Sequence, residues 1–216
     1  NRKCIMDVLL NAGMSEGAVV YNCVQILGAG HDTTATTLAM LLWQLAQDQE
    51  LQEAVRRELN APAQSYPLLS ACVKEVLRLW PAAPLTVRQA LEPVPSFDSI
   101  DLPVGTIAIV APWLLGRSSA YWDEPQLFKP ERFLSVLSVE GVGQHPSGRK
   151  STSFSWVPFG YGIRNCVGQH LAIAELEAFT AALVRQIRFW PDDAPEVEWF
   201  LTLRLRKGLK LRMEPV

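Results

Sequence analysis

The chain is poor in several features that would have assigned it to a class at once. Its four cysteines (Cys4, Cys23, Cys72 and Cys166) are scattered, with no C-x-x-C pair and no cysteine–histidine cluster. That argues against a zinc site or a disulfide framework and excludes C-x-x-C-H covalent haem attachment. Reduced thiols fit an intracellular compartment. No run of 18 uncharged apolar residues occurs, so no membrane span is expected. No signal peptide is recognisable. Charge of one sign is also missing. The formal net charge is −2, which leaves no basic field for nucleic acid. Internal repeats are absent.

What is present is a large apolar fraction, 49% of 216 residues, against 19% charged. Such a chain can bury a sizeable core. Residues from about Ser15 to Asp48 read as one long helix, apolar nearly all round in its Val19–Leu27 and Leu38–Leu45 blocks. At 1.5 Å per residue it would span roughly 50 Å. Its middle crowds poor helix formers together: Gly28, Gly30, Asp32, Thr33, Thr34, Thr36 and Thr37. Local rules broken inside a helix expected to be buried suggest a site.

A short polar helix, Gln49–Leu59, should follow with a solvated face and end at Asn60-Ala61-Pro62. Leu69, Cys72, Val73, Val76 and Leu77 then set a helical period over Leu68–Leu79, stopped by Pro81. Pro81 to Trp113 reads as proline-rich and β-like, with Pro103-Val104-Gly105-Thr106 turning into the strand Ile107–Val110. Gly116–Ser155 is a long irregular stretch that side-chain pairs or a ligand must tie down. A helix should run from behind Cys166 to about Phe189, with Leu171, Ala174, Phe179, Ala182, Leu183 and Ile187 on one side. Leu203, Leu205, Lys207-Gly208, Leu209, Leu211 and Met213 suggest a C-terminal two-residue hairpin.

The most informative decade is Phe159-Gly160-Tyr161-Gly162-Ile163-Arg164-Asn165-Cys166-Val167-Gly168. One cysteine lies in a glycine-rich loop, two residues after an arginine and just before a helical pattern. Peptide N–H groups at a helix start and a nearby cation favour a thiolate, and glycines let backbone approach a flat ligand. A free cysteine is usually a small buried hydrophobe, but these neighbours point elsewhere. The segment fits Phe-x-x-Gly-x-Arg-x-Cys-x-Gly-x-x-x-Ala at Phe159, Gly162, Arg164, Cys166, Gly168 and Ala172. It resembles the haem-binding loop of the cytochrome P-450 family, whose iron carries a cysteine thiolate.

Two further segments carry the same resemblance. Glu75 and Arg78 stand as E-x-x-R on the Leu68–Leu79 helix, and Pro130-Glu131-Arg132-Phe133 supplies P-E-R-F before the cysteine loop. Alone, an i,i+3 ion pair is commonplace. Among Val76, Leu77 and Leu79, part of this one should be buried, and a buried arginine needs several acceptors. The resemblance implies that Glu75, Arg78 and Arg132 form a structural triad locking the loop behind the haem. Ala29-Gly30-His31-Asp32-Thr33-Thr34 on the long helix resembles the family's distal segment. Oxygen activation there needs protons, so Asp32 and Thr33 are implied as proton relay and hydroxyl donor. The plain alternative is a threonine-rich helix bonding to its own carbonyls.

By the same resemblance the cofactor is haem b with Cys166 as axial metal ligand. Arg164 and Arg88 would meet its propionates, and Phe159, Gly160, Gly162, Gly168, Ala29 and Gly30 would contact it. His31, His145 and His170 are read as ordinary polar side chains. Lipophilic substrate contacts would come from Ile26, Leu27, Ala29 and Gly30, from Ala83–Val87 and from Trp199–Thr202.

The implied fold is mainly α with small β elements: a single domain equivalent to the C-terminal half of the family, matched from about Ala18. The N-terminal half would be absent. That would leave Leu42–Leu45 and Leu27 exposed, with membrane attachment expected only through a region outside this sequence. The implied activity is insertion of one oxygen atom of O2 into a lipophilic substrate, with electrons from an NADPH-dependent reductase or a ferredoxin. A haem-thiolate isomerase or peroxygenase, a truncated inactive product and a helical domain with relic motifs remain as alternatives.

Overall fold

A computed structural model describes residues 4–97, 100–136 and 154–216. Six helices and four small two-stranded antiparallel sheets are described, so the fold is mainly α with minor β. After α1 (Ile5–Asn11) comes α2 (Glu16–Gln47), a single helix capped by Ser15, whose hydroxyl accepts the Ala18 amide. The polar α3 (Gln49–Asn60) follows at once, capped by Asp48, and α4 (Pro67–Leu79) starts with proline at N1.

The core lies where four helices meet. Met40, Leu41 and Leu45 of α2, Val55 and Leu59 of α3, and Leu69, Cys72, Val73 and Val76 of α4 pack with Leu176 and Val184 of α6 (Gln169–Gln186). Fully burying one such leucine contributes about 1.5–3 kcal/mol. Only the second half of α2 takes part. Gly28, Ala29, Gly30, His31 and Asp32 are exposed, Thr33, Thr34 and Thr36 are half-buried, and only Thr37 of the poor helix formers is buried, so the expected burial is not met over most of that stretch. The leucines at 42–45 are not left bare either. Leu45 is buried and Leu42 half-buried against the core, whereas Leu27 is exposed as expected.

Past α4, β1 (Thr86–Gln89) pairs with β4 (Ile107–Val110), and β2 (Val94–Phe97) with β3 (Ile100–Leu102). Gly105, at φ 87°, makes the expected turn into β4. A short α5 (Pro112–Leu115) places Trp113 edge-on between Trp80 and Trp199, at ring centroid distances of 5.5 and 5.3 Å. Arg117 lies 3.4 Å over the Trp113 ring. Burial first, and repulsion from Arg78 second, push its pKa down to about 10.

Four expectations change. The helix behind Cys166 stops at Gln186, and Ile187–Pro191 is a strand, β5. Its period-two run Ile187-Arg188-Phe189-Trp190 carries no local stop signal, and side chains of α3 supply the stop instead. The buried residues of α6 are Leu176, Thr180, Ala181 and Val184, while Leu171, Ala174, Phe179 and Ala182 are exposed. Apolar residues line both sides of this helix, and packing on α2, α3 and α4 selects the first set. The terminal leucines form no hairpin with each other. Gly208 turns the chain, but β7 (Leu203–Leu205) pairs with β6 (Val197–Trp199), and β8 (Leu211–Pro215) pairs with β5. One sheet is thus nested within the other in chain order. Finally, α3 is not merely solvated, since Gln52 and Arg56 are buried.

These burials fix thiol chemistry. Cys72 is buried and its thiol pKa is pushed up, first by burial and then by surrounding carboxylates, while Cys4 and Cys166 are exposed. A thiol reagent at pH 8 should therefore modify Cys4 and Cys166 in the native chain and reach Cys72 only after denaturant is added. Peptide mapping of the labelled sites checks this, and native labelling of Cys72 would contradict the packing.

Candidate haem-thiolate site

The loop carrying Cys166 connects Phe159, packed on the core, to the start of α6 and is exposed from Tyr161 to Val167. Gly160 and Gly162 sit at φ 73° and 78°, conformations that L side chains rarely adopt, and a single 3-10 turn covers Gly162–Arg164. The Cys166 amide donates to the Phe159 carbonyl at 2.8 Å, and the Asn165 amide to Gly162 at 3.0 Å. These bonds fold the loop back on itself and hold the cysteine two residues before Gly168, the cap of α6. Phe159 is half-buried and packs against the core, which anchors the loop at one end. Gly168, at the helix cap, would bring a Cβ to 3.9 Å from Cys166 Sγ.

The outward side of the loop is open and apolar. Ile163 is 100% and Val167 90% exposed, with Tyr161 beside them and stacked edge-on with Phe154. An apolar, close-approach surface around an accessible sulfur suits a flat macrocycle with an axial thiolate. On this observation the residues present fit the group. Among the described residues, Arg164 makes no hydrogen bond or ion pair. Arg88, on the exposed β1, donates to the carbonyl of neighbouring Val87 at 2.9 Å. Both arginines are exposed.

The long helix α2 packs against α6, but its core contacts lie in its second half, so the packing does not bring the 29–34 segment onto the Cys166 loop. Its polar side chains are engaged locally. Thr33 Oγ1 donates to the Ala29 carbonyl at 2.7 Å, and Asp32 Oδ1 meets His31 Nδ1 at 2.8 Å, both on exposed surface. The back-bonding of a threonine-rich helix is therefore realised at Thr33. His170 is exposed on the first turn of α6, and His145 lies outside the described residues. Ala29, Gly30, Leu27, Leu85, Val87 and the Trp199–Leu201 turn are exposed as well.

Glu75, Arg78 and Arg132 come together in the interior. The ion pair between Glu75 and Arg78 has both side chains 0% exposed. Arg78 donates Nε to Oε2 at 2.6 Å and Nη2 to Oε1 at 2.7 Å. Glu75 Oε1 also accepts the Lys129 amide at 2.8 Å and Arg132 Nε at 3.3 Å. Arg78 spends its remaining donors on the carbonyls of Gly116, Pro125 at 2.7 Å and Leu127 at 2.9 Å. The irregular segment after α5 is thus tied to α4 by backbone groups, which explains its lack of regular structure. It leads into a 3-10 helix, Pro130–Val136, and residues 137–153 of the expected irregular stretch lie outside the described residues.

Sequence reasoning missed three residues of this lock. Gly116 has no room for a side chain, because a Cβ there would collide with the Arg78 carbonyl. Trp122 lies under the Arg78 guanidinium at 5.2 Å. Trp156 Nε1 donates to the Lys74 carbonyl at 3.1 Å and carries the lock toward the cysteine loop. Only the glycine left a trace in the sequence, as the first residue after the apolar Trp113-Leu114-Leu115. Breaking a buried pair strands a charge. Glu75→Gln should lower stability by about 3 kcal/mol, and Gly116→Ala should be comparably damaging. Urea midpoints of the two variants test both.

A sequence model described as Cytochrome P450 matches residues 1–211. The match thus begins ahead of the region around Ala18 where the motifs become readable. Cytochrome P450 4F5 of Rattus norvegicus is 32% identical over 201 residues, covering 87% of this chain and 36% of that protein. Cytochrome P450 93G1 of Oryza sativa subsp. japonica is 35% identical over 205 residues, covering 85% and 38%. Leukotriene-B4 omega-hydroxylase 3 of Mus musculus is 31% identical over 201 residues, covering 87% and 36%. The chain therefore spans well under half the length of these relatives. With its cysteine loop, its buried E-x-x-R lock and a family match over nearly all its length, the chain belongs to the cytochrome P450 family of haem-thiolate oxidoreductases.

Proposed function

We propose that this chain provides the thiolate-bearing part of a monooxygenase site that inserts one atom of O2 into a lipophilic substrate. The observation that carries the reading is the loop of Cys166. Two glycines in left-handed conformations and a 3-10 turn present an accessible sulfur on an open apolar surface. Behind that loop stands a fully buried ion-pair lock that costs stability unless every partner is present. When bound, haem would supply oxygen activation at its iron, with electrons from a reductase or a ferredoxin.

The protein's own groups have separable tasks. Cys166 would hold the iron as thiolate, kept from wandering by the bond from its amide to Phe159. Arg164 and Arg88 would take the propionates as permanent cations. Asp32 and Thr33 would hold and pass protons, which requires each to exchange its present partner, His31 or the Ala29 carbonyl, for one at the site. Glu75, Arg78 and Arg132 would keep loop and helix in register without touching substrate. The exposed apolar side chains Leu27, Leu85, Val87 and Trp199 support a lipophilic substrate. The name of the mouse relative, Leukotriene-B4 omega-hydroxylase 3, agrees with that class. No described helix is long and apolar enough to cross a membrane.

Two measurements test the reading. Haem-loaded chain, reduced and exposed to carbon monoxide, should give a strongly red-shifted Soret band that Cys166→Ala abolishes. A band unaffected by that substitution would refute the thiolate assignment. In a preparation that turns over substrate, Asp32→Asn and Thr33→Ala should each lower O2-dependent turnover by about 10²-fold. Their peroxide-driven turnover should change much less. Equal losses with both oxidants would count against a proton relay at these positions.

A further inference from the structure

The helix α3 reads as a solvated connector, yet its polar side chains are spent on the backbone of α2, α4, α6 and β5. Gln52 is buried, and its Nε2 donates to the carbonyls of Leu45 at 3.0 Å and Phe189 at 2.9 Å. Its Oε1 accepts the Phe189 amide at 3.1 Å. Arg56, 3% exposed, donates Nε to the Val184 carbonyl at 2.8 Å and Nη2 to the Ile187 carbonyl at 2.9 Å. These are the carbonyls that a helix end leaves without partners. Glu53 braces the guanidinium and also pairs with Arg188 of β5 at 3.1 Å. One turn further on, both Glu58 oxygens accept amides at the start of α4, Leu68 at 2.7 Å and Leu69 at 3.0 Å. Arg185 of α6 returns the contact by donating to the Leu59 carbonyl at 2.8 Å.

The three helices therefore form one polar joint. Glu58 caps the beginning of α4, the helix of the buried lock, Arg56 caps the end of α6, the helix behind Cys166, and Gln52 ties the last turn of α2 to Phe189 of β5, three residues past that end. We infer that Gln52, Arg56 and Glu58 are positioning residues that set α6 against α4, and so place the Cys166 loop relative to the Glu75–Arg78–Arg132 lock. An α-helix of this length is a stiff rod of roughly 27 Å, so freeing its far end lets the near end tilt or slide. The consequence at Cys166 rests on the haem-thiolate reading; the mechanical coupling does not.

The test uses the haem-free 216-residue chain and hydrogen exchange read by mass spectrometry. Arg56→Lys keeps the charge but cannot bridge both carbonyls, and Gln52→Met removes the paired bonds to Phe189. Val55→Ala, a buried apolar change on the same helix, controls for general loss of stability. In both polar variants, amide exchange over residues 166–172 should rise about tenfold beyond that in Val55→Ala, the scale of one lost hydrogen bond. The alkylation rate of Cys166 should change with it. Faster exchange confined to residues 184–189, or a rise matched by Val55→Ala, would overturn the inference and leave a purely local cap. Loss of the folded far-ultraviolet signal in both polar variants would overturn it too, because a positioning role leaves the fold standing. The carbon monoxide spectrum of the unaltered haem-loaded chain is read separately. If it lacks the thiolate band while exchange responds as expected, the haem-thiolate reading fails and the joint stands; the reverse pattern removes the joint alone.

Discussion

A carboxylate with no exposure to water governs the middle of this chain. Glu75 is tolerable in the interior only because Arg78, Arg132 and the Lys129 amide surround its two oxygens. Arg78 in turn must satisfy donors left over from that pairing, and it does so with carbonyls of a segment that has no regular structure. Removing any one member leaves a desolvated charge or dipole behind, which costs more than the pair contributes while intact. The lock is thus better at enforcing one arrangement than at adding stability. Such enforcement suits a family in which a single sulfur must stand at a fixed place.

Much of this arrangement was legible in the residue string because it depends on local chemistry. The long α2, the proline-started α4 and the Gly105 turn follow from caps, periods and glycine. The cysteine loop and the E-x-x-R pair were legible for another reason: fixed spacing among several unlike residues leaves few alternatives. What escaped was set by distant partners. Nothing in Gln186-Ile187-Arg188 announces a helix end, because the groups that receive its carbonyls sit on α3. The leucines at 203–205 and 211–213 look like partners of each other, yet the alternation is equally good for pairing with β6 and β5. For α6, an apolar residue on either side gave two self-consistent faces, and only packing could choose.

The distal segment tells a related story. Its glycine and threonines break helical preferences, and the structure keeps them helical, Gly30 exposed and the threonines half-buried, with Thr33 bonded to its own helix. The frustration is therefore visible in the sequence without being resolved by this chain's own core. The polar residues of α3 make the opposite case. They look like surface and turn out to be interior, because a glutamine and an arginine can each serve several backbone groups at once.

The division of α2 between core and solvent has a consequence for how the chain folds. From Met40 to Ala46 the helix is held by tertiary contacts with three other helices, whereas the stretch through Gly28 and Gly30 must rely on elongation from that anchored end. Helix growth is easy only after nucleation, and each glycine there weakens it by about 1 kcal/mol relative to alanine. One continuous rod in shape is then two cooperative units in thermodynamics. On this division the first can melt while the second stands, and the boundary between them falls close behind Asp32 and Thr33, the residues proposed as a proton relay.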